Sequence, residues 1–196
     1  LILMLVLLRP LLGTDLSALE LDLAPYREAI EERQAELEAE SDQELEQLLR
    51  AGMAAACAKN SQNRLFFVEQ GTGSLPGLLQ VHPNAFALKT AQAAIVVAAD
   101  RRKGAAMDPL NDWWVQDCSA SIQTILVEAA DLGLGTLWIG VWPDPKRVLA
   151  VQKDLEMPEY IPPWGAVAIG RPDKAKEPND RYETEKVFFG RYEDRS

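Results

Sequence analysis

Apolar or small residues recur at Val115, Cys118, Ile122, Ile125, Ala129 and Leu132. This is the three-and-four spacing of a helix with one buried stripe. Ser119, Ala120 and Ser121 are small enough to bring that helix's backbone close to whatever packs on it. Gly133 stands where a helix C-terminus favours a left-handed residue, and Thr136 to Val141 follows as a short run rich in β-formers. Upstream, Pro25 suits the first turn of a helix running through REAIEERQAELEAE. Ser41 with Glu44 then forms a capping box for a second helix that would bury Leu45, Leu48, Leu49 and Met53. Lys59 to Asn63 is polar and turn-like, Leu65 to Glu69 reads as a strand, and Gly71 to Gly77 reads as a loop. Helix-forming residues around Ala85 to Ala91 lead into the apolar strand Ala94 to Ala99, and Asp100 to Leu110 is a polar connection.

Past the central run, Asp144-Pro145 starts another helix through Val148, Leu149 and Val151, with Pro158 beyond its end. Gly165 to Gly170 is a last core strand. Strands and helices mix without a regular βαβ alternation, which predicts an α+β fold. There is no internal repeat or low-complexity linker, so a single domain is expected, with residues 1–40 an N-terminal arm and acidic helix and 41–196 its main body. Leu1 to Leu8 is apolar but is cut by Arg9-Pro10. A membrane-spanning helix needs about 20 apolar residues, so this stretch is expected to be an arm that packs on another surface. Val187-Phe188-Phe189 is too apolar for a free polar tail and should also dock on something.

Composition narrows the function. The chain has 196 residues and 47% hydrophobic content, enough for one full core. A formal charge of −10 argues against non-specific nucleic-acid binding, which needs a cationic face. Nine acidic and two basic residues fall between Arg27 and Glu46, the pattern of a solvated helix face. Cys57 and Cys118 form neither a CxxC nor a disulfide framework, which suits a reducing compartment such as the cytoplasm. His82 is the sole histidine, and beside Pro83 it reads as a helix-start residue rather than a base. With no G-x-S-x-G and no Cys/His cluster at ligand spacing, a zinc site or nucleophile triad is improbable. Gly133-Leu134-Gly135 follows a helix and opens a strand, the reverse of the order a dinucleotide fingerprint requires.

Several blocks together resemble the nitroreductase family of FMN-dependent oxidoreductases. They are LEQLLRAGMAAACAKNSQ, VHPNAFALKTAQAAIVVAAD, DWWVQDCSASIQTILVEAADLGLGTLWIGVWPD, LEMPEYIPP, GAVAIGRPDK and NDRYETEKVFF. The resemblance spans roughly three quarters of the chain, in the family's order. It implies a three-layer sandwich, a mainly antiparallel central sheet flanked by helices, and a homodimer with exchanged C-terminal segments. It also implies FMN as cofactor, hydride passing from NAD(P)H through flavin N5 to a nitroaromatic, quinone or similar acceptor, and no side-chain acid or base. By the same correspondence Trp138, Ile139 and Gly140 present flavin-facing backbone, and Asn60 and Gln62 contact the ribityl chain or ring edge. Arg33 and Arg181 fill the phosphate-binding places.

The chain departs from the family at the phosphate. Where an R-x-S-x-R pattern is usual, it has Arg33 among Glu31, Glu32 and Glu36, acids that would repel a phosphate dianion unless turned away. Arg64, after the altered turn Gln62-Asn63, is a candidate replacement cation. A second reading follows from that departure: a non-catalytic nitroreductase-fold protein with weakened or absent FMN binding, serving another ligand or partner.

Overall fold

The computed structural model describes residues 27–105, 113–174 and 179–192, with side chains of the first helix from residue 41 onward. The Leu1–Leu12 arm and Pro25 lie outside these residues. Helix α1 spans Arg27–Ala54 without interruption. Ser41 is therefore not an N-cap but a mid-helix residue, and the expected two helices are one. No proline or glycine occurs between Arg27 and Ala51, and Glu, Ala, Leu and Gln favour propagation over a new start.

A 3₁₀ turn, Ala58–Asn60, leads to β1, Arg64–Gln70. Helix α2, Pro76–Val81, follows, then a 3₁₀ turn at Phe86–Lys89, β2 at Ala93–Ala99 and the short helix α3 at Arg101–Ala105. The long helix α4 covers Trp114–Asp131, β3 covers Gly135–Gly140, α5 covers Pro145–Asp154 and β4 covers Pro163–Gly170. A last 3₁₀ turn, Thr184–Lys186, lies in the C-terminal segment. The four strands form one antiparallel sheet in the order β1-β2-β4-β3.

Both faces of the sheet are covered, because β2 is buried along its whole length. Its alternate residues Ala93, Ile95, Val97 and Ala99 meet Leu45 and Leu48 of α1 and Cys118, Ile122, Ile125 and Ala129 of α4. The other set, Ala94, Val96 and Ala98, meets Leu75, Leu78, Leu88 and Val151 beneath α2 and α5. Period-two alternation thus supplies two cores from one strand, giving helices on both sides of an antiparallel sheet as expected. The α4 stripe is as its spacing predicted, and Gly133 ends it at φ +70°. Met53 is not in the core: it is 53% exposed, and Leu49 is only half-buried. The last turn of α1 approaches Phe66 of β1 and Ile125 of α4 through buried Gly52, which leaves Met53 on the outer side of the helix.

The stretch read as a loop through Gly77 contains α2. Pro76 supplies the first turn. The Asp154 carboxylate, at the end of α5, accepts the Gly77 N–H at 2.9 and 3.0 Å and the Leu78 N–H at 3.2 Å. A side chain 77 residues away therefore caps a helix whose own sequence carries no cap. Asp154→Ala is expected to cost about 1 kcal/mol, typical of a lost N-cap, with amide exchange accelerated in α2 but not in α4. Equal acceleration in both helices would count against this role.

Candidate functional site

β3 is an edge strand. The Val141 N–H donates to the Trp164 carbonyl at 3.3 Å. By the alternation of an antiparallel ladder, the N–H and C=O of Gly140 then point away from β4. The Arg147 guanidinium confirms that direction, since its Nη1 donates to the Gly140 carbonyl at 3.3 Å. Two residues back, Trp138 presents its backbone to the same outer side. An added Cβ at Gly140 would meet nothing within 4 Å and the residue is exposed, so no side chain crowds that face of the strand end. Trp138 is 37% exposed and Ile139 only 2%: Ile139 anchors the strand in the α2/α5 core while its neighbours face outward.

Trp138 is fixed by a glycine on the adjacent strand. An ideal Cβ on Gly165 would stand 2.7 Å from Trp138 Nε1, 3.1 Å from Ile122 Cδ1 and 3.2 Å from the Ile139 carbonyl oxygen. The indole therefore lies where only a glycine leaves room. Beyond it, Trp114 packs edge-on against Trp142 and Trp164, with centroids 5.1 and 5.9 Å away. A groove of about 840 Å³ opens where the chain leaves β3, lined by Trp142, Pro143, Val148, Leu149, Met157 and Arg101 among others.

The Asn60–Gln62 turn stands at the same end of the sheet. Gly140 pairs with Gly165, Gly165 with Val97 and Val97 with Phe66, so Gly140 is level with Phe66 and the turn before Arg64 lies past that level. β1 and β3 occupy opposite edges, three strand spacings or roughly 14 Å apart. Lys59, Asn60 and Gln62 all have φ near +50°, a conformation that costs non-glycine residues energy and is held by its surroundings. Gln62 Nε2 donates to Asn60 Oδ1 at 2.8 Å. The buried Asp117 carboxylate of α4 accepts the Ala58 N–H at 2.8 Å and the Ser61 hydroxyl at 3.4 Å. Both amide side chains remain exposed.

Arg64 is not a spare cation. It is buried, and its Nη1 donates to the Ala55 carbonyl and to Ser121 Oγ, both at 2.8 Å, joining the end of α1 to α4 beneath this turn. The role once open to it, pairing with a phosphate, conflicts with that burial. Arg33 lies in α1, its side chain outside the described residues, and Arg181 is exposed in the C-terminal segment. One chain thus brings Trp138–Gly140 and Asn60/Gln62 to one end of the sheet, while Arg33 stands early in α1 and Arg181 in the C-terminal segment.

Sequence reasoning offered Arg64 only as a phosphate cation, read His82 as a helix start although it ends α2, and passed over Asp117. The only available signal for Arg64 and Asp117 was a charged residue set beside an otherwise apolar stripe. His82 is 7% exposed. Its Nδ1 accepts the Asn84 N–H at 3.1 Å, and it closes α2, its own backbone N–H donating to the Leu78 carbonyl at 2.9 Å. Cys118, buried in the α4 stripe, has its thiol pushed up to about 12 by desolvation, which suits packing rather than nucleophilic chemistry.

The profile described as Nitroreductase family matches residues 76–171. A relative from Archaeoglobus fulgidus, provisionally named NADH dehydrogenase/NAD(P)H nitroreductase, is 36% identical over 150 residues, covering 75% of this chain and 84% of the relative. The chain belongs to the nitroreductase family. A Parabacteroides distasonis crystal structure of the same provisional name is 31% identical, with a TM-score of 0.69 over 76% of this chain and 86% of that one. An FMN-dependent nitroreductase from Clostridium difficile R20291 is 27% identical, with a TM-score of 0.67 over 76% and 88%. The three-layer antiparallel sandwich expected from the resemblance is therefore the fold of this nitroreductase-family chain. Among its described residues no helix is long and apolar enough to cross a membrane.

Proposed function

We propose that this chain is an FMN-dependent oxidoreductase using NAD(P)H to reduce a nitroaromatic, quinone or similar planar acceptor. The observation that carries the reading is the exposed edge-strand end of β3, where the N–H groups of Trp138 and Gly140 point away from β4 beside a half-exposed indole. These residues fit an isoalloxazine edge, which needs N–H donors close by and no side chain between. Gly140 supplies both conditions. Asn60 and Gln62, held in a tight turn at the same end of the sheet, suit the ribityl chain, and Arg33 and Arg181 are the phosphate ligands the resemblance assigns.

When bound, FMN supplies the redox chemistry, taking a hydride from the nicotinamide and passing electrons to the acceptor. The protein's own part is binding and orientation. Backbone N–H groups of β3 stay fixed where negative charge builds on the ring, and the buried Ile139 keeps them from retreating. Trp138 and the Trp142-Pro143 wall exclude water from one side and leave the other for a flat substrate.

The functional unit is proposed to be a homodimer in the cytoplasm. Phe189 is 94% exposed within the C-terminal segment, near exposed Tyr182 and Tyr192, and such a patch needs a partner surface. Exchange of this segment would also bring Arg181 toward the other subunit's site. The test is titration of the purified protein with FMN, followed by NADH and NADPH oxidation with a quinone, alongside its mass by light scattering. Flavin binding with acceptor-dependent NAD(P)H oxidation by a dimer is expected. Absence of flavin binding at saturating FMN would overturn the reading.

A further inference from the structure

The peptide between Gly140 and Val141 closes the proposed flavin-facing end of β3, and it is held from two sides. On the inner side the Val141 N–H donates to the Trp164 carbonyl of β4 at 3.3 Å. On the outer side an edge strand has no neighbour to pair its carbonyls, and a side chain takes that place. Arg147 Nη1 donates to the Gly140 oxygen at 3.3 Å, reaching back seven residues from α5. The Gly140 N–H and C=O share the outer side of the ladder. The guanidinium therefore stands on the same side as the backbone donors proposed to meet the ring edge.

The helix itself gives no reason for a cation at this position. Arg147 is the third residue of α5, in a first turn that also holds Lys146 and carries no acid. Positive charge there opposes the helix dipole. Asp144 offsets the conflict: its Oδ1 accepts the Lys146 N–H at 2.9 Å and the Arg147 N–H at 3.3 Å. Its Oδ2 lies 3.3 Å from Arg147 Nε, at an angle short of a hydrogen bond. One carboxylate thus caps α5 and steadies the side chain that reaches back to β3. The Arg147 side chain is 30% exposed, so its charge is screened less than that of a cation standing fully in solvent.

We propose that Arg147 is a positioning residue of the flavin site, clamping the Gly140–Val141 peptide from the outer side of β3 and setting a positive charge beside the flavin-facing backbone. The proposal rests on the flavin reading for its functional consequence, but the clamp itself is a property of the protein alone. The Ile139–Gly140 peptide, which carries the proposed donor, joins the clamped peptide through a single Cα, so the clamp limits how far that donor can turn. The charge has its own effect. Electron density on the ring rises when a flavin is reduced, and a fixed cation on that side favours the reduced form over the oxidised one.

Amide exchange and redox titration test the two effects separately. In the flavin-free protein, Arg147→Met is expected to speed exchange at Val141 about tenfold, the scale of one lost charge-assisted hydrogen bond. Leu137, which pairs with Ala168 further back in the same ladder, should change little. In the FMN-loaded protein, Arg147→Met should weaken binding of reduced flavin about tenfold relative to oxidised flavin, a fall in midpoint potential of ~30 mV for a two-electron couple. Arg147→Lys separates the fork from the charge. Its single ammonium should keep the potential near wild type, but it cannot hold Asp144 and the Gly140 oxygen together, so Val141 should still exchange faster.

Val141 exchange at the wild-type rate in both variants would overturn the clamp. Equal acceleration at Leu137 would overturn it as well, since that marks a general loosening of β3. A midpoint potential that Arg147→Met leaves unmoved would overturn the role of the charge. Should Arg147→Met fail to fold, exchange in Arg147→Lys decides the clamp. If wild type bound no FMN, the flavin reading would fall, and the exchange rates would still decide the clamp.

Discussion

Gly165→Val is expected to lose about 1–3 kcal/mol of stability, the usual cost of overpacking a filled site, and to bind FMN about tenfold more weakly, which is ~1.4 kcal/mol. The added carbon atoms would enter space occupied by Trp138 Nε1 at 2.7 Å, Ile122 Cδ1 at 3.1 Å and the Ile139 carbonyl at 3.2 Å. Trp138 can yield by swinging toward solvent, but Ile122 is fully buried and the Ile139 oxygen belongs to the ladder. The strain therefore falls on β3 itself, at the residues proposed to face the flavin. Urea unfolding followed by a fluorescence titration with FMN measures both effects. Unchanged values in both would show that the indole is not where the flavin wall requires it.

Arg64→Ala is expected to be costlier to the fold, by about 2–4 kcal/mol, because a buried donor's removal leaves its acceptors unsatisfied. The Ala55 carbonyl and the Ser121 hydroxyl both lose a 2.8 Å partner. The strained turn at Lys59, Asn60 and Gln62 loses its floor at the same time, so FMN affinity should fall further than stability alone explains. Arg64→Lys separates the two effects: one ammonium can reach one acceptor but not copy the fork of a guanidinium. It should recover part of the stability and little of the turn's geometry. Thermal unfolding and amide exchange at Ser61 and Gln62 would check this, and an Arg64→Ala protein as stable as wild type would refute it.

Much of this architecture is legible in the residues. The α4 stripe and its glycine stop follow from periodicity, and the strands at 94–99, 136–140 and 165–170 from short apolar runs between turn signals. What is not legible has a common cause. α2 is capped by Asp154 from another element, Ser41 satisfies a cap rule inside an unbroken helix, and Arg64 is buried by contacts with Ala55 and Ser121. Local rules see neighbours in sequence, whereas these outcomes depend on neighbours in space. The part proposed to face the ring could be picked out locally because it is one contiguous strand end, Trp138 to Gly140. The proposed phosphate part was not, since Arg33 and Arg181 come from segments far apart in sequence. His82 was read as a helix start beside Pro83, whereas it ends α2, a helix whose cap comes from Asp154.

The strand order also bears on how the chain finds this structure. β1 pairs with β2 and β3 with β4, each pair joined by a modest stretch of chain. The central seam instead sets Ala93 against Ile169 and Val97 against Gly165, across α4, β3 and α5. Closing that long loop is the entropically demanding step, and pairings far apart in sequence slow folding. The domain is thus two locally formed halves zipped along β2 and β4. Substitutions at Val96 or Ala166 should lower the refolding rate more than equally buried changes within either half, which should mainly hasten unfolding.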